Sequence, residues 1–294
     1  MQTKIFTFHA TILGCLLLLT TCSGGGSGGP AQGSPEWLWL AAQENFAAAD
    51  YVKTQEHLDK LADTESEWQG RAAVWRIVVL SGLSRAYREL SDIYSKGAET
   101  NNAQSSRFQN GIQQNQRDSR QYAIDLAESL PKYQKLFSDD ANIPLDFAFP
   151  SGSPNDSPLA LRLEGGEVLN EDQQANATQQ VVERGVILQA VLLAGEGEDV
   201  NAARAKFDAG TVEVPRQSFM NALGRTMWIV SELFDRTHLN LPDIEKILVT
   251  QAMKSIEPAL ESDDEDLKTE AEELKEEIEE KQKLEEQIRR RLRG

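Results

Sequence analysis

The stretch RAAVWRIVVLSGLSRAYRELSDIYSKG, Arg71 to Gly97, decides the fold. Its apolar positions Trp75, Val78, Val79, Leu80, Leu83, Tyr87, Leu90 and Tyr94 nearly circle an α-helix rather than lining one side of it. A helix with one apolar stripe lies on a surface, whereas one that is apolar on most sides needs partners all round. The stretch therefore predicts a central helix and an all-α fold assembled about it.

Upstream, Ser34-Pro35-Glu36 marks a helix start: a serine N-cap, proline at the first helical position and an acid in the first turn. Trp37, Leu40, Ala41 and Glu44 keep one-face spacing, and the pattern continues through Tyr51, Leu58, Leu61 and Ala62. Downstream, AETNNAQSSRFQNGIQQNQRDSRQ has few apolar anchors and is expected to begin as a loop. A helix should follow from Tyr122 to Phe137, kinked or divided by Pro131. The period then changes. Leu145, Phe147 and Phe149 alternate, as do Leu159, Leu161 and Leu163, about a Pro/Gly/Ser/Asn loop. That pattern suits either a small two-stranded hairpin near 145–163 or two extended connectors. Helical patterns return in NEDQQANATQQVVERGVILQAVLLAG, VEVPRQSFMNALGRTMWIVSELFDR and LPDIEKILVTQAMKSIEPAL, with a short helix in EGEDVNAARAKFDAGT. Numerous helices paired by short loops favour a repeat-like stack of helical hairpins over a four-helix bundle.

The last segment differs in kind. SDDEDLKTEAEELKEEIEEKQKLEEQIRRRLRG runs without Gly or Pro to Gly294 and opens on a capping-box pattern, Ser262 to Glu265. Asp264 with Lys268, Glu277 with Lys281, Glu279 with Lys283, Glu285 with Arg289 and Glu286 with Arg290 are i,i+4 pairs in the favourable order. Acids crowd its start and arginines its end, complementing the helix dipole. Leu267, Ala271, Leu274, Ile278, Ile288 and Leu292 form a thin seam interrupted by Lys281 and Glu285. Such a helix either lies solvated along one edge of the domain, weakly held by the core, or pairs in a coiled coil with a partner or a second copy.

The net charge of -17 over 294 residues opposes nonspecific binding to nucleic acid or to an anionic lipid surface. Both cysteines lie near the N-terminus. The chain opens MQTK, turns apolar to Leu19 and breaks into SGGGSGG, the order of a secretory signal peptide. The run is much shorter than the ~20 residues a membrane span needs. Ile12-Leu13-Gly14-Cys15 and Leu19-Thr20-Thr21-Cys22 both resemble the lipobox of bacterial lipoproteins, whose cysteine is lipidated and becomes the new N-terminus. Cleavage before Cys22 consumes the whole apolar run, leaves that cysteine without a disulfide partner, and releases a Gly/Ser-rich tether, Ser23 to Pro35, spanning roughly 20 Å as a coil. Cleavage before Cys15 would leave LLLLTT at the mature start. The expected site is Cys22; the alternatives are Cys15 and secretion without lipid. The resemblance implies a membrane anchor facing the periplasm or the cell exterior, and Ser23 resembles the pattern of outer-membrane lipoproteins where two membranes are present.

Ala49-Asp50-Tyr51, with Ala42 upstream and Leu58 and Leu61 downstream, resembles the turn between the paired helices of a tetratricopeptide repeat. In that family small residues let paired helices approach closely. The organisation expected is a signal peptide over 1–21, a lipidated cysteine and linker over 22–35, helical halves over 36–137 and 171–261 about a connector at 138–170, and the charged helix over 262–294.

The inventory for catalysis is poor. Processing at Cys22 leaves His57 and His238 as the only histidines and no free thiol, so no metal site and no cofactor are expected. No nucleophile elbow, phosphate loop, dinucleotide fingerprint or calcium loop occurs. Trp75, Tyr87 and Trp228 are the aromatics best placed for binding, with Arg76, Arg85 and Arg225 beside them. They are either core aromatics with arginines in salt bridges, or the walls of a groove for a peptide or amphiphile. Arg289, Arg290 and Arg291 form the one strong positive cluster.

The expected function is a lipid-anchored scaffold that holds another envelope protein without a reaction of its own. The alternatives are a carrier of a small molecule or lipid serving a transporter, marked by a closed apolar cavity, and a carboxylate-dependent hydrolase of cell-wall or sugar polymers, marked by carboxylates converging in a cleft. Cys22→Ala is expected to abolish fatty-acid labelling and to release the protein from the membrane fraction, whereas Cys15→Ala should change neither; retention of label by the Cys22 variant alone would move the anchor to Cys15.

Overall fold

The apolar run around Trp75 forms the long helix α3 (Gln69–Thr100), and in the computed structural model it is central. The structure describes residues 29–133, 136, 142–145, 155–195, 199–208, 212–236 and 239–293. Residues 1–28 with both cysteines, Phe147, Phe149 and His238 lie outside them. The other helices are α1 (Pro35–Ala47), α2 (Tyr51–Ala62), α4 (Ser105–Tyr133), α5 (Pro158–Glu164), α6 (Glu171–Leu193), α7 (Val200–Asp208), α8 (Arg216–Ser231), α9 (Pro242–Leu260) and α10 (Glu265–Arg293). Helix α3 packs against α2, α4, α5, α6 and α8, which is why Trp75, Val78, Val79, Leu80, Leu83 and Leu90 are all fully buried.

The helix starts follow local chemistry. Ser34 caps α1, its side chain accepting from the Trp37 amide at 3.3 Å, with Pro35 at the first helical position. Ala49 takes a left-handed φ of 58° in the tight turn after α1, and the Asp50 carboxylate then caps α2 through the Lys53 amide. Alternating Leu159, Leu161 and Leu163 were compatible with a strand, but they lie in α5. Ser157-Pro158 repeats the start of α1, with the serine hydroxyl accepting from the Ala160 amide, and it nucleates a helix where alternation suggests extension. A two-stranded antiparallel sheet is present, yet its strands are distant in sequence: β1 (Asn142–Pro144) pairs with β2 (Glu213–Pro215), Ile143 opposite Val214. The helix expected from Val212 therefore begins only at Arg216.

The Asn/Gln/Ser-rich segment after Gly97 is also helical, almost throughout, contrary to the loop expected there. The face α4 turns to α3 is built from Phe108, Asn115, Ser119, Ala123, Leu126 and Leu130, all buried, so small polar residues occupy core positions. Ser119 donates to the Ser84 carbonyl at 2.8 Å and Ser84 donates back to the Ser119 carbonyl at 3.2 Å. These reciprocal bonds satisfy both hydroxyls while letting the two backbones approach.

Helix α6 crosses α3 at two glycines. A Cβ on Gly82 would lie 2.6 Å from the Val186 Cα, and one on Gly185 would lie 2.8 Å from the Ala86 Cβ and 2.9 Å from the Gly82 carbonyl oxygen. Further along, Gln189 of α6 donates to Thr226 of α8 at 2.8 Å and accepts from Arg85 of α3 at 3.3 Å, tying three helices together in the interior. A third glycine, Gly224, brings α8 against Ala252 and Ile256 of α9. One contiguous core results, running from Leu38 in α1 to Ile278 in α10 and spanning both expected halves.

The crossing yields a sign test. Gly82→Ala should destabilise the fold by about 1–3 kcal/mol, because backbone atoms of α6 must move, even though alanine is the better helix former by about 1 kcal/mol. Gly70, in the first turn of α3 with nothing within 4 Å of an added Cβ, is the control. Gly70→Ala should be neutral or stabilising by up to about 1 kcal/mol, as read from urea unfolding midpoints.

Candidate functional site

The C-terminal helix brings distant charges to one place. Asp264, rather than Ser262, caps α10: its carboxylate accepts from the Asp266 and Leu267 amides, while the Ser262 hydroxyl accepts from Asp264. From there α10 lies along α8 and α9, and Ala271, Leu274 and Ile278 are completely buried against them. The next residue on the same face is Lys281. Its ammonium sits 3.5 Å from Glu245 of α9, 3.7 Å from Asp235 in the loop after α8, and 5.0 Å from the centroid of the Trp228 ring. The residue that interrupts the apolar seam is therefore a pin. Its i−4 neighbour Glu277, the partner expected from spacing, is displaced by two carboxylates of the body.

Beside this pin lies an open cleft of about 490 Å³ between α9 and α10, floored by Trp228 and walled by Asp243, Glu245, Lys246, Lys281 and Glu285. Burial pushes the Glu245 carboxyl above the ordinary carboxylate range, the Glu285 carboxylate pushes it further, and Lys281 pulls it back. Trp228 itself is 8% exposed, so the cleft offers a charged rim more than an aromatic platform.

The other residues singled out from sequence are dispersed. Trp75 is entirely within the core. Arg76 donates to the Gln55 carbonyl and side chain and lies 3.4 Å from Asp59, so it joins α3 to α2. Arg225 is half-buried on α8 one turn before Trp228. Arg290 and Arg291 are exposed at the far end of α10, Arg290 pairing with Glu286 at 2.6 Å, and the side chain of Arg289 lies outside the described residues. Tyr87 is elsewhere: its ring stacks on Tyr122 with centroids 5.7 Å apart, and both line a second pocket with Tyr51. Trp228 thus belongs with α10, and Tyr87 with α2 and α4. Sequence reasoning missed Asp235, Glu245, Lys281, Tyr51 and Tyr122 as site residues. The signal for Lys281 was its position in register with Leu274 and Ile278; the others carried none.

Among the described residues no group of His, Cys, Asp and Glu side chains is arranged to hold a metal ion, and no helix is long and apolar enough to cross a membrane. His57 is edge-on to the Trp37 ring at 5.4 Å, and burial lowers its pKa. No family model, curated protein or solved structure matches the chain. The site is therefore argued from its own geometry.

Lys281→Met should remove the pin and leave Glu245 and Asp235 facing each other without it, costing about 2 kcal/mol near neutrality. Because the folded-state pKa of Glu245 is raised, the stability linked to its protonated form is complete below the ordinary carboxylate pKa and is lost as pH rises through the folded value. Removing Lys281 raises that value further. The melting temperature of the variant should therefore fall more steeply than that of the parent between mildly acid and neutral pH, which calorimetry at matched ionic strength would measure.

Proposed function

We propose that the protein is a lipid-anchored scaffold of the cell envelope, tethered through Cys22 and presenting the outer end of α10 to another protein, with no catalysis of its own. The observation that carries this reading is the division of α10 into a docked and an undocked half. Ala271, Leu274 and Ile278 are buried and Lys281 is pinned, but Leu284 is 58% and Ile288 45% exposed, beside the exposed Arg290 and Arg291. Apolar side chains at i,i+4 on a projecting helix, flanked by the one basic cluster of a protein of charge -17, suit an amphipathic helical partner with an acidic face. The helix is about 43 Å long. The Gly/Ser linker after Cys22 would let the domain reach such a partner from the membrane. In an envelope with two membranes, Ser23 supports the outer one.

The hydrolase alternative would draw on Glu245 and Glu285 in the cleft. Lys281 counts against it, since the ammonium holds Glu245 in an ion pair and covers the Trp228 ring on which a sugar would stack. The carrier alternative would draw on a closed apolar cavity, whereas the α9–α10 cleft is open and mostly charged at its rim.

Two truncations separate scaffold from solvated tail. A chain ending at Gln282 keeps every buried contact of α10 and should melt within a few degrees of the parent, yet lose in-cell crosslinks to its partner. A chain ending at Glu261 loses the burial of Leu274 and Ile278, about 3–6 kcal/mol, and should be strongly destabilised. Undiminished crosslinking by the chain ending at Gln282 would remove the outer end of α10 from the interface.

A further inference from the structure

The second pocket lies at the α1–α2 turn, between α2, α3 and α4. It has a volume of about 340 Å³ and is lined by Ala48, Ala49, Asp50, Tyr51, Tyr87 and Tyr122, with Val52 at its mouth. Three phenols from three helices meet there: Tyr51 begins α2, Tyr87 is on α3 and Tyr122 on α4. The Tyr87 and Tyr122 rings are within 15° of parallel. Tyr51 is 7% exposed, and its hydroxyl is buried without a hydrogen-bond partner among the described residues. Ala49 at the rim holds its left-handed φ without being glycine, and backbone strain of that kind collects at ligand sites.

The charges that act on the three phenols are negative, while Lys53 places a cation on Asp50 at the edge of the pocket. The charged groups that act on the three phenols are Glu183 on Tyr51, Asp118 on Tyr87, and Asp118 and Asp125 on Tyr122. Burial first, then these carboxylates and the neighbouring phenols, push all three hydroxyls upward, Tyr122 to about 12, so the rings are neutral at any physiological pH. At the mouth, the Asp50 carboxylate is held by Lys53 at 2.7 Å. An anion would meet repulsion inside such a site. A strongly hydrated cation would lose more on desolvation than electron-rich rings return. A methylated ammonium satisfies both constraints, because its charge is weakly hydrated and its methyl groups pack against aromatic faces.

We propose that the pocket of Tyr51, Tyr87 and Tyr122 binds a methylated ammonium cation. The group could come from a free small molecule such as choline or from a choline lipid head group, and the two share the chemistry the pocket recognises. The proposal is independent of α10 and of the scaffold reading, since neither Lys281 nor the helix end takes part in it.

The test is titration of the full chain with tetramethylammonium chloride, read by saturation-transfer NMR on the methyl resonance, with sodium chloride holding ionic strength constant. Saturable binding on the order of 1 mM is expected, and Tyr122→Leu should weaken it about tenfold or more. Should Tyr122→Leu fail to fold by circular dichroism, Asp118→Asn serves instead. It removes a negative charge from a half-buried position without touching a ring, and should weaken binding about threefold. Choline, and vesicles of phosphatidylcholine against phosphatidylethanolamine, distinguish the sources. Choline bound as well as tetramethylammonium, with no vesicle preference, points to a free ligand. A preference for phosphatidylcholine that is lost with Tyr122→Leu, or with Asp118→Asn in its place, points to a head group. Absence of saturable binding overturns the proposal, as does binding unchanged in folded Tyr122→Leu or, where that variant does not fold, in Asp118→Asn.

Discussion

The architecture depends on how closely α6 can approach α3. At the crossing the two backbones are separated by glycines on both sides, and no side chain larger than hydrogen fits at Gly82 or Gly185 without moving one helix. That contact sets the height at which α6 carries Gln189, and Gln189 in turn bonds Thr226 of α8. Helix α8 receives α9 at Gly224, and the pair forms the bed on which α10 lies. A displacement at the first crossing would therefore pass along a chain of close contacts to the C-terminal helix. Close-packed interiors transmit strain of this kind because no free volume is available to absorb it.

The attachment of α10 combines two forces with different ranges of tolerance. Burial of Leu274 and Ile278 supplies nondirectional stability, which would permit the helix to slide by a turn at modest cost. The Lys281 ammonium, placed between Glu245 and Asp235 and over Trp228, tolerates no such slide, because a shifted register would leave the buried Glu245 carboxyl without its counter-charge. Position along the groove is thus determined by one lysine. Beyond the pin, Leu284 and Ile288 are exposed.

Much of the fold was legible because it rests on local chemistry. The serine-proline start of α1, the acidic turn into α2, the all-round apolar pattern of α3 and the glycine- and proline-free run of α10 each act within a few residues of the signal. Two misreadings have separate causes. In α4 the core positions are held by Asn115 and Ser119, which a count of apolar residues overlooks, and in α5 the alternation of leucines competed with the Ser157-Pro158 cap and lost. The local pattern suited either a hairpin of neighbouring segments or two extended connectors, whereas β1 pairs with β2 some seventy positions later, a partner no local pattern could indicate.

The sequence by itself determined the all-α class, the central place of α3 and the charge distribution along α10, because each is a property of composition or of short-range periodicity. Only the tertiary structure decided that Trp75 is core while Trp228 faces Lys281, that Tyr87 joins Tyr51 and Tyr122 across three helices, and that α10 buries Ala271, Leu274 and Ile278 while exposing Leu284 and Ile288. Those outcomes depend on which faces meet. Helix faces meet according to close approaches such as Gly82 with Gly185, whose effect is felt only when two segments a hundred residues apart are brought into contact.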